Sequence, residues 1–378
     1  MNKKEVLEIR KLLNKDRCCV ERICGCYVDG HKEKKLKMKE AFLSLPEEEM
    51  FKYIDLFKRT LSGSIGKNLL NLEFPLEAEL GDGQQKILLA LRDSALQDQE
   101  LLDAFYDKII ETYLFPENYL ILLVYGVYDI PSRTSDGLEM EDSSDYMYPF
   151  ILCGICPVAL SKPGLCYDAD SNAFIDKIQD WMVQKPDLGF LFPAFNDRNT
   201  DLHSMLYYSR NPEELHPEIP EDLFGCPLPI PAKGQKETFS ALVEETFGED
   251  CGFEVAKTIH ENLNRILEEK KDDPEPASLD KNQVERLLSD CGASREQLEH
   301  FAEEFDREAG EKASLMAANV ASSRRFEVKT PDITVQVSPD RTDLLETRTL
   351  EGRECLVIRL DGEVEVNGIR IRPERTCD

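Results

Sequence analysis

The chain has 378 residues, 41% of them hydrophobic, enough to build sizeable cores and to exclude a wholly disordered protein. Its 46 Lys+Arg against 74 Asp+Glu leave a net charge of −28, which argues against a broad basic surface for nucleic acid or anionic lipid. No apolar stretch follows Lys3-Lys4, and the longest apolar run, Tyr119 to Tyr128, is about half the roughly twenty residues a membrane helix needs. The expectation is a cytoplasmic protein with no membrane partner, whose 12 cysteines are reduced thiols.

Taken in chain order, residues 2–16 place Val6, Ile9 and Leu13 on one helical face. Arg22 to Val28 reads as a strand, Asp29-Gly30 as a turn, and the lysine-rich 32–39 as the exposed arm of a hairpin. Residues 1–40 carry 12 basic and 7 acidic side chains, a local +5. Ser44-Leu-Pro-Glu47 has the pattern of a capping box, followed by Met50, Ile54, Phe57 and Leu61 at helical spacing. Residues 84–92 and 98–113 read as two more helices.

Tyr119–Tyr128 and Tyr148–Val158 are near-continuous apolar runs, the pattern of strands covered on both faces. Phe174, Ile178 and Trp181 suggest a helix, while 189–195 and 202–208 suggest strands. There is no regular strand–helix–strand rhythm, so the expected fold is α+β: a largely antiparallel sheet with packed helices. The expected division is an α+β domain over 1–210, a proline-rich stretch over 211–236 that is a linker or a clamped extended segment, a helical section over 237–322 and a small β unit over 323–378. Within the helical section, Gly248 is a natural helix stop and Ser294 to Gln297 a second capping box. Asp361-Gly362 and Asn367-Gly368 are hairpin turns.

Two groups of residues invite chemistry. Cys24, Cys26, Cys153 and Cys156 form two close pairs that could supply a tetrahedral thiolate zinc site. Buried core cysteine is the simpler reading, since Cys153 and Cys156 face opposite sides of a regular strand. The Asp197, Arg198, Asp201 and His203 cluster offers acid, base and anion-binding groups, the makings of a hydrolase or small-ligand site. The plainer alternative is a hairpin loop with Asx turns and one ion pair. Ser62 to Asn68 has the glycines of a phosphate loop but the wrong spacing, so a turn suffices. Helices at 280–290 and 294–308 have helix-turn-helix spacing, yet the second carries a net −4 and would repel phosphate.

Arg22-Ile-Cys-Gly-Cys-Tyr-Val-Asp29, Thr60-Leu-Ser-Gly63, Asn68 to Pro75, Ile155 to Gly164 and Phe192 to Asp201 together resemble domain-of-unknown-function family 4317, found mostly in clostridia and their relatives. The resemblance implies a cytosolic bacterial protein and supplies no catalytic residues. A fainter likeness, of architecture only, is to the 37-kilodalton nucleoid-associated proteins. With no complete catalytic constellation, the leading expectation is a binding or assembly protein with a protein partner. Self-association could arise by docking the basic 1–40 segment on the acidic remainder, and the same segment is where nucleic acid could bind. No cofactor is expected beyond the zinc considered above.

Overall fold

In a computed structural model, the protein is described at residues 1–14, 18–133, 139–310, 313–322, 325–360 and 362–371, with the side chains of 133 and 139–145 left aside. The 361–362 turn dipeptide thus lies partly outside the described residues. The chain divides into two compact units, Met1–Pro231 and Ala232–Asp378.

The first unit runs α1 (Lys3–Leu12), β1 (Val20–Val28), β2 (Lys34–Ala41), α2 (Glu47–Thr60), β3 (Leu69–Glu73), α3 (Leu76–Glu79), α4 (Gln85–Asp93) and α5 (Gln99–Thr112). It continues through β4 (Tyr119–Arg133), β5 (Glu139–Leu160), β6 (Leu165–Asp168), β7 (Ala173–Asp176), β8 (Trp181–Val183), β9 (Leu188–Phe192), β10 (Ala194–Asn196), β11 (Asn199–Asp201) and β12 (Ser204–Ser209). The main sheet has the order β2-β1-β4-β5-β9-β12-β3, every pairing antiparallel, with β8 added at the end of β5. The protein is therefore α+β.

The long apolar runs follow from the layering. Ile121 and Leu123 of β4 join one core with Leu88 and Phe105 of α4 and α5, whereas Leu122 and Val124 join a second core with Ile9 of α1 and Phe57 of α2. Because helices cover both faces, alternation of apolar and polar residues is lost along β4, β5 and β9. Both edges of the main sheet are protected. β2 carries Lys34, Lys35, Lys37 and Lys39, which deter edge-to-edge pairing. At β3, Asn71 accepts a hydrogen bond from the Met1 amine at 2.7 Å and donates one to the Met1 carbonyl at 2.9 Å.

The sheet admits α2 closely because two glycines face each other across β5 and β9. Gly154 pairs with Gly189, and a Cβ at Gly189 would lie 2.4 Å from the Cys153 carbonyl oxygen and 2.9 Å from the Thr60 methyl. Backbone cannot yield as a side-chain tip can, so Gly189→Ala should cost about 1–3 kcal/mol, measured as a lower urea midpoint with unchanged slope.

Two local expectations are corrected. Phe174, Ile178 and Trp181 do not lie on a helix; Phe174 is in β7, Trp181 is in β8 and Ile178 lies between them, all exposed. A turn at 169–172, with Asn172 at φ +49°, reverses the chain, and the β6–β7 pairing takes the backbone hydrogen bonds a helix would use. Ser44 does not cap α2: its hydroxyl donates back to the Ala41 carbonyl, and Pro46 stands at the N-cap. Of the two alternatives for the proline-rich stretch, its 211–231 part is the clamped one. Leu215, Ile219, Leu223, Phe224 and Cys226 are buried in the α4–α5 core, with Glu218–Leu223 forming a π-helical turn. Prolines remove regular structure there without preventing burial.

The second unit contains α6 (Ala232–Phe247), α7 (Phe253–Glu269), β13 (Ser278–Leu279), α8 (Lys281–Asp290), α9 (Arg295–Glu308), β14 (Leu315–Met316) and α10 (Ala317–Val320). It ends in three two-stranded hairpins: β15 (Phe326–Lys329) with β16 (Thr334–Val337), β17 (Leu345–Leu350) with β18 (Arg353–Ile358), and β19 (Val364–Val366) with β20 (Ile369–Ile371). Phe239, Leu242, Leu263, Leu288, Phe301 and Phe305 share its core. Ser294 and Gln297 form the expected capping box, and Asp280 with Gln283 forms another at the start of α8. Gly248 follows α6 at φ +53°, the left-handed conformation that favours glycine. Among the described residues, no helix is long and apolar enough to cross a membrane.

Candidate functional site

The four paired cysteines are not brought together. Cys24 and Cys26 lie on the α4–α5 face, and Cys153 shares that face. Cys24 and Cys153 both register against Leu123, so a whole strand separates them, about 10 Å at ordinary strand spacing. Cys156 faces the opposite core. Thiolates sharing one zinc must sit about 4 Å apart, which this arrangement does not allow. Burial pushes the Cys24 and Cys26 thiols up to about 11 and Cys156 up to about 12, away from the thiolate state. Among the described residues, no group of three or more His, Cys, Asp or Glu is placed to hold a metal ion.

The 197–203 cluster is a hairpin whose polar groups point to separate partners. Asp197 and Arg198, both at positive φ, form the turn between β10 and β11. The Asp197 N–H donates to Glu5 Oε1 at 2.7 Å and Arg198 Nε to Glu8 Oε1 at 3.2 Å, fastening the turn to α1. Asp201 accepts from Asn196 Nδ2 at 2.7 Å and from the His203 N–H at 3.0 Å. The exposed His203 ring pairs instead with Glu79 at 2.7 Å, and that carboxylate raises the His203 pKa. The Arg198, Asp201 and His203 side chains thus serve three separate contacts while Asp197 contributes its backbone N–H, and the hairpin reading describes them.

The basic strand near the N-terminus is answered locally as well. Lys34 meets Asp107 at 2.6 Å and Lys37 meets Asp103 at 2.7 Å, both acids on α5 of the same unit. These pairs neutralise part of the charge that suggested docking through residues 1–40. In the loop that resembles a phosphate site, Asn68 Nδ2 donates to the carbonyls of Ser209 and Arg210, and glycines at positive φ make the turn.

Two features were not anticipated. The first is a buried polar cluster around Asp187, which precedes β9. Its carboxylate accepts from Tyr113 Oη at 3.1 Å and pairs with Arg210 Nη2 at 2.6 Å and His216 Nε2 at 3.2 Å. The other ring nitrogen of His216, Nδ1, lies 3.4 Å from Glu218 Oε1. The hydrogen bond from His216, supported by Arg210 and Tyr113, lowers the Asp187 pKa against the opposing effect of burial. Burial disfavours a charged His216, but Asp187 and the glutamates outweigh it and its pKa is raised. With both nitrogens facing carboxylates, the surroundings favour the protonated ring, which can donate to both. Beside it opens a cavity of about 750 Å³, lined by Phe115, Glu214, His216, Glu218, Leu228 and Ile230 among others. No local pattern advertises this cluster: Tyr113 and Asp187 are 74 residues apart.

The second feature is an apolar arm. Between Leu160 and Val183 the chain leaves the main sheet, pairs β6 with β7, and returns as β8. Its large apolar side chains are bare, including Leu165 (75% exposed), Phe174 (74%), Ile178 (80%) and Trp181 (58%). Phe174 and Ile175 are neighbours on a strand and so point to opposite faces, yet both are exposed. Neither face of the hairpin is packed down.

A two-faced antiparallel sheet with helices on each side, an apolar arm and a second, mostly helical unit defines an α+β protein of two units. The chain belongs to the family described as domain of unknown function (DUF4317), whose family model matches residues 1–369. No curated protein matches it.

Proposed function

We propose that the protein is a binding and assembly protein that self-associates through the 160–183 arm. The observation that carries this is the exposed apolar surface of that arm. Leu160, Leu165, Tyr167, Phe174, Ile175, Ile178, Trp181, Met182 and Val183 are all exposed, a concentration of bare apolar side chains that marks an interaction surface. A second copy presenting the same arm offers the matching apolar chemistry, and covering these side chains removes them from water. The edges of the main sheet support the same reading, since β2 and β3 are guarded whereas the arm is not. An isologous contact, arm on arm, closes at a dimer.

The test is sedimentation velocity and light scattering across a concentration series. Wild-type protein should be dimeric at tens of micromolar and stay so as salt is raised, because apolar contacts are not screened. Phe174→Asp with Trp181→Glu should make it monomeric with unchanged circular dichroism, since neither side chain belongs to a core. A wild-type monomer at every concentration overturns the proposal. A dimer that dissociates with salt and ignores the arm variant points instead to charge docking through residues 1–40.

A further inference from the structure

His216 sits where a proton has structural consequences. It stands at φ +49° between Pro217 and the residues leading from β12, at the start of the 211–231 segment that covers the α4–α5 core. The segment has two other polar anchors close by. Tyr207 Oη donates to the Leu215 carbonyl at 2.9 Å, and Ser209 Oγ reaches the carbonyls of Asn211 and Glu214 at 2.9 and 2.8 Å. None of those anchors changes charge near neutrality. The imidazole alone does.

The groups facing the ring come from several elements. Asp187 approaches from the loop before β9, Glu218 and Glu214 from the segment itself, and Tyr113 from the end of α5 with its ring 5.5 Å away. Arg210 reaches the ring only through Asp187, and Tyr207 lies near Asp187 and Glu218. The two carboxylates bound to the imidazolium are unequal. Asp187 is held on its other sides by Arg210 and Tyr113. Glu218 lines the 750 Å³ cavity and has open space to move into.

We propose that His216 is a proton-operated latch: protonated, it ties Glu218 and the 211–231 segment to the buried Asp187, and on losing its Nδ1 proton to water it keeps Asp187 and releases Glu218 into the cavity. The choice of nitrogen follows from the geometry. A ring that has lost one proton presents a lone pair to one carboxylate, and that contact becomes repulsive. Asp187 is the more buried and the more constrained partner, so separation falls to Glu218.

The experiment uses the full-length chain. The His216 ring resonance, assigned by its disappearance in His216→Asn, is titrated by NMR. Hydrogen exchange of peptides within 211–231 is followed from pH 5.5 to 9 after correction for intrinsic rates. The expected result is a fall in protection of roughly tenfold, centred on the His216 midpoint, with peptides from β4 unchanged. In Glu218→Gln the side-chain amide can either accept from Nδ1–H or donate to bare Nδ1, so the step should vanish while His216 still titrates. Protection that stays flat across the wild-type midpoint overturns the proposal, as does an equal step in Glu218→Gln.

Discussion

Asp187→Ala is expected to lower the stability of the first unit by about 3–5 kcal/mol, the range for removing one partner of a buried charge cluster. The carboxylate is the hub of three groups: it neutralises Arg210 and His216 and accepts from Tyr113, while the Asp187 backbone N–H bonds to the Ile155 carbonyl and is untouched by the change. Arg210 is half-exposed and can be hydrated when left alone. Tyr113 is fully buried and His216 largely so, and the cost comes mainly from them. Asp187→Asn should cost less, because the amide oxygen still accepts from Tyr113. Urea unfolding followed by near-ultraviolet circular dichroism ranks the two variants. Equal midpoints for wild type and Asp187→Ala would mean that the cluster contributes nothing net.

The same cluster sets a pH dependence with two opposite limbs. The Asp187 pKa is depressed in the folded state, so its contribution is present above the ordinary value of 3.8 and is lost as pH falls through the lower folded value. The His216 pKa is raised, so its contribution is full below 6.5 and is lost as pH rises through the higher folded value. Greatest stability from this cluster therefore lies between about pH 4 and 6.5. In Asp187→Ala the acid limb assigned to this residue should disappear and the alkaline limb should shrink.

The second large effect concerns where the first unit ends. A fragment 1–231 should unfold cooperatively, whereas 1–210 should not reach a native state. The difference is the burial of Leu215, Ile219, Leu223, Phe224 and Cys226, including the edge-to-face contact of Phe224 with Phe190 at 4.9 Å. At about 1.5–3 kcal/mol for each of the larger side chains, their removal withdraws on the order of 10 kcal/mol, comparable with the whole stability of a domain. Loss of near-ultraviolet signal and binding of a hydrophobic dye by 1–210, but not by 1–231, is the expected contrast. Two equally cooperative fragments would show that residues 211–231 are dispensable.

Much of the architecture was legible before any coordinates. Tyr119–Tyr128 and Tyr148–Val158 announced interior strands because only a sheet covered on both faces tolerates such unbroken apolar character. The helices at Met50–Leu61, Leu102–Tyr113 and Phe239–Phe247 announced themselves through an apolar face at helical spacing. Local periodicity failed where the deciding contact was remote. Phe174, Ile178 and Trp181 satisfy helical spacing by coincidence, and only the β6–β7 pairing reveals otherwise. The prolines at 217, 220, 227 and 229 suggested a connector because they forbid regular ladders, but a chain without ladders can still bury Ile219 and Phe224. The polar residues at 197–203 caught the eye by proximity in sequence, while Tyr113, Asp187, Arg210 and His216 meet only in space.

The placement of β3 has a kinetic consequence. Its one partner in the main sheet is β12, with Glu73 opposite Ser204, so the two strands are about 130 residues apart along the chain. During synthesis the β1–β2 hairpin can close early, but β3 must wait until nearly the entire first unit has left the ribosome. At elongation rates of roughly 5–20 residues per second, that delay lasts many seconds. Leu70 and Leu72 lack their β12 partners throughout it, so this edge of the main sheet is completed only by the last strand of the unit.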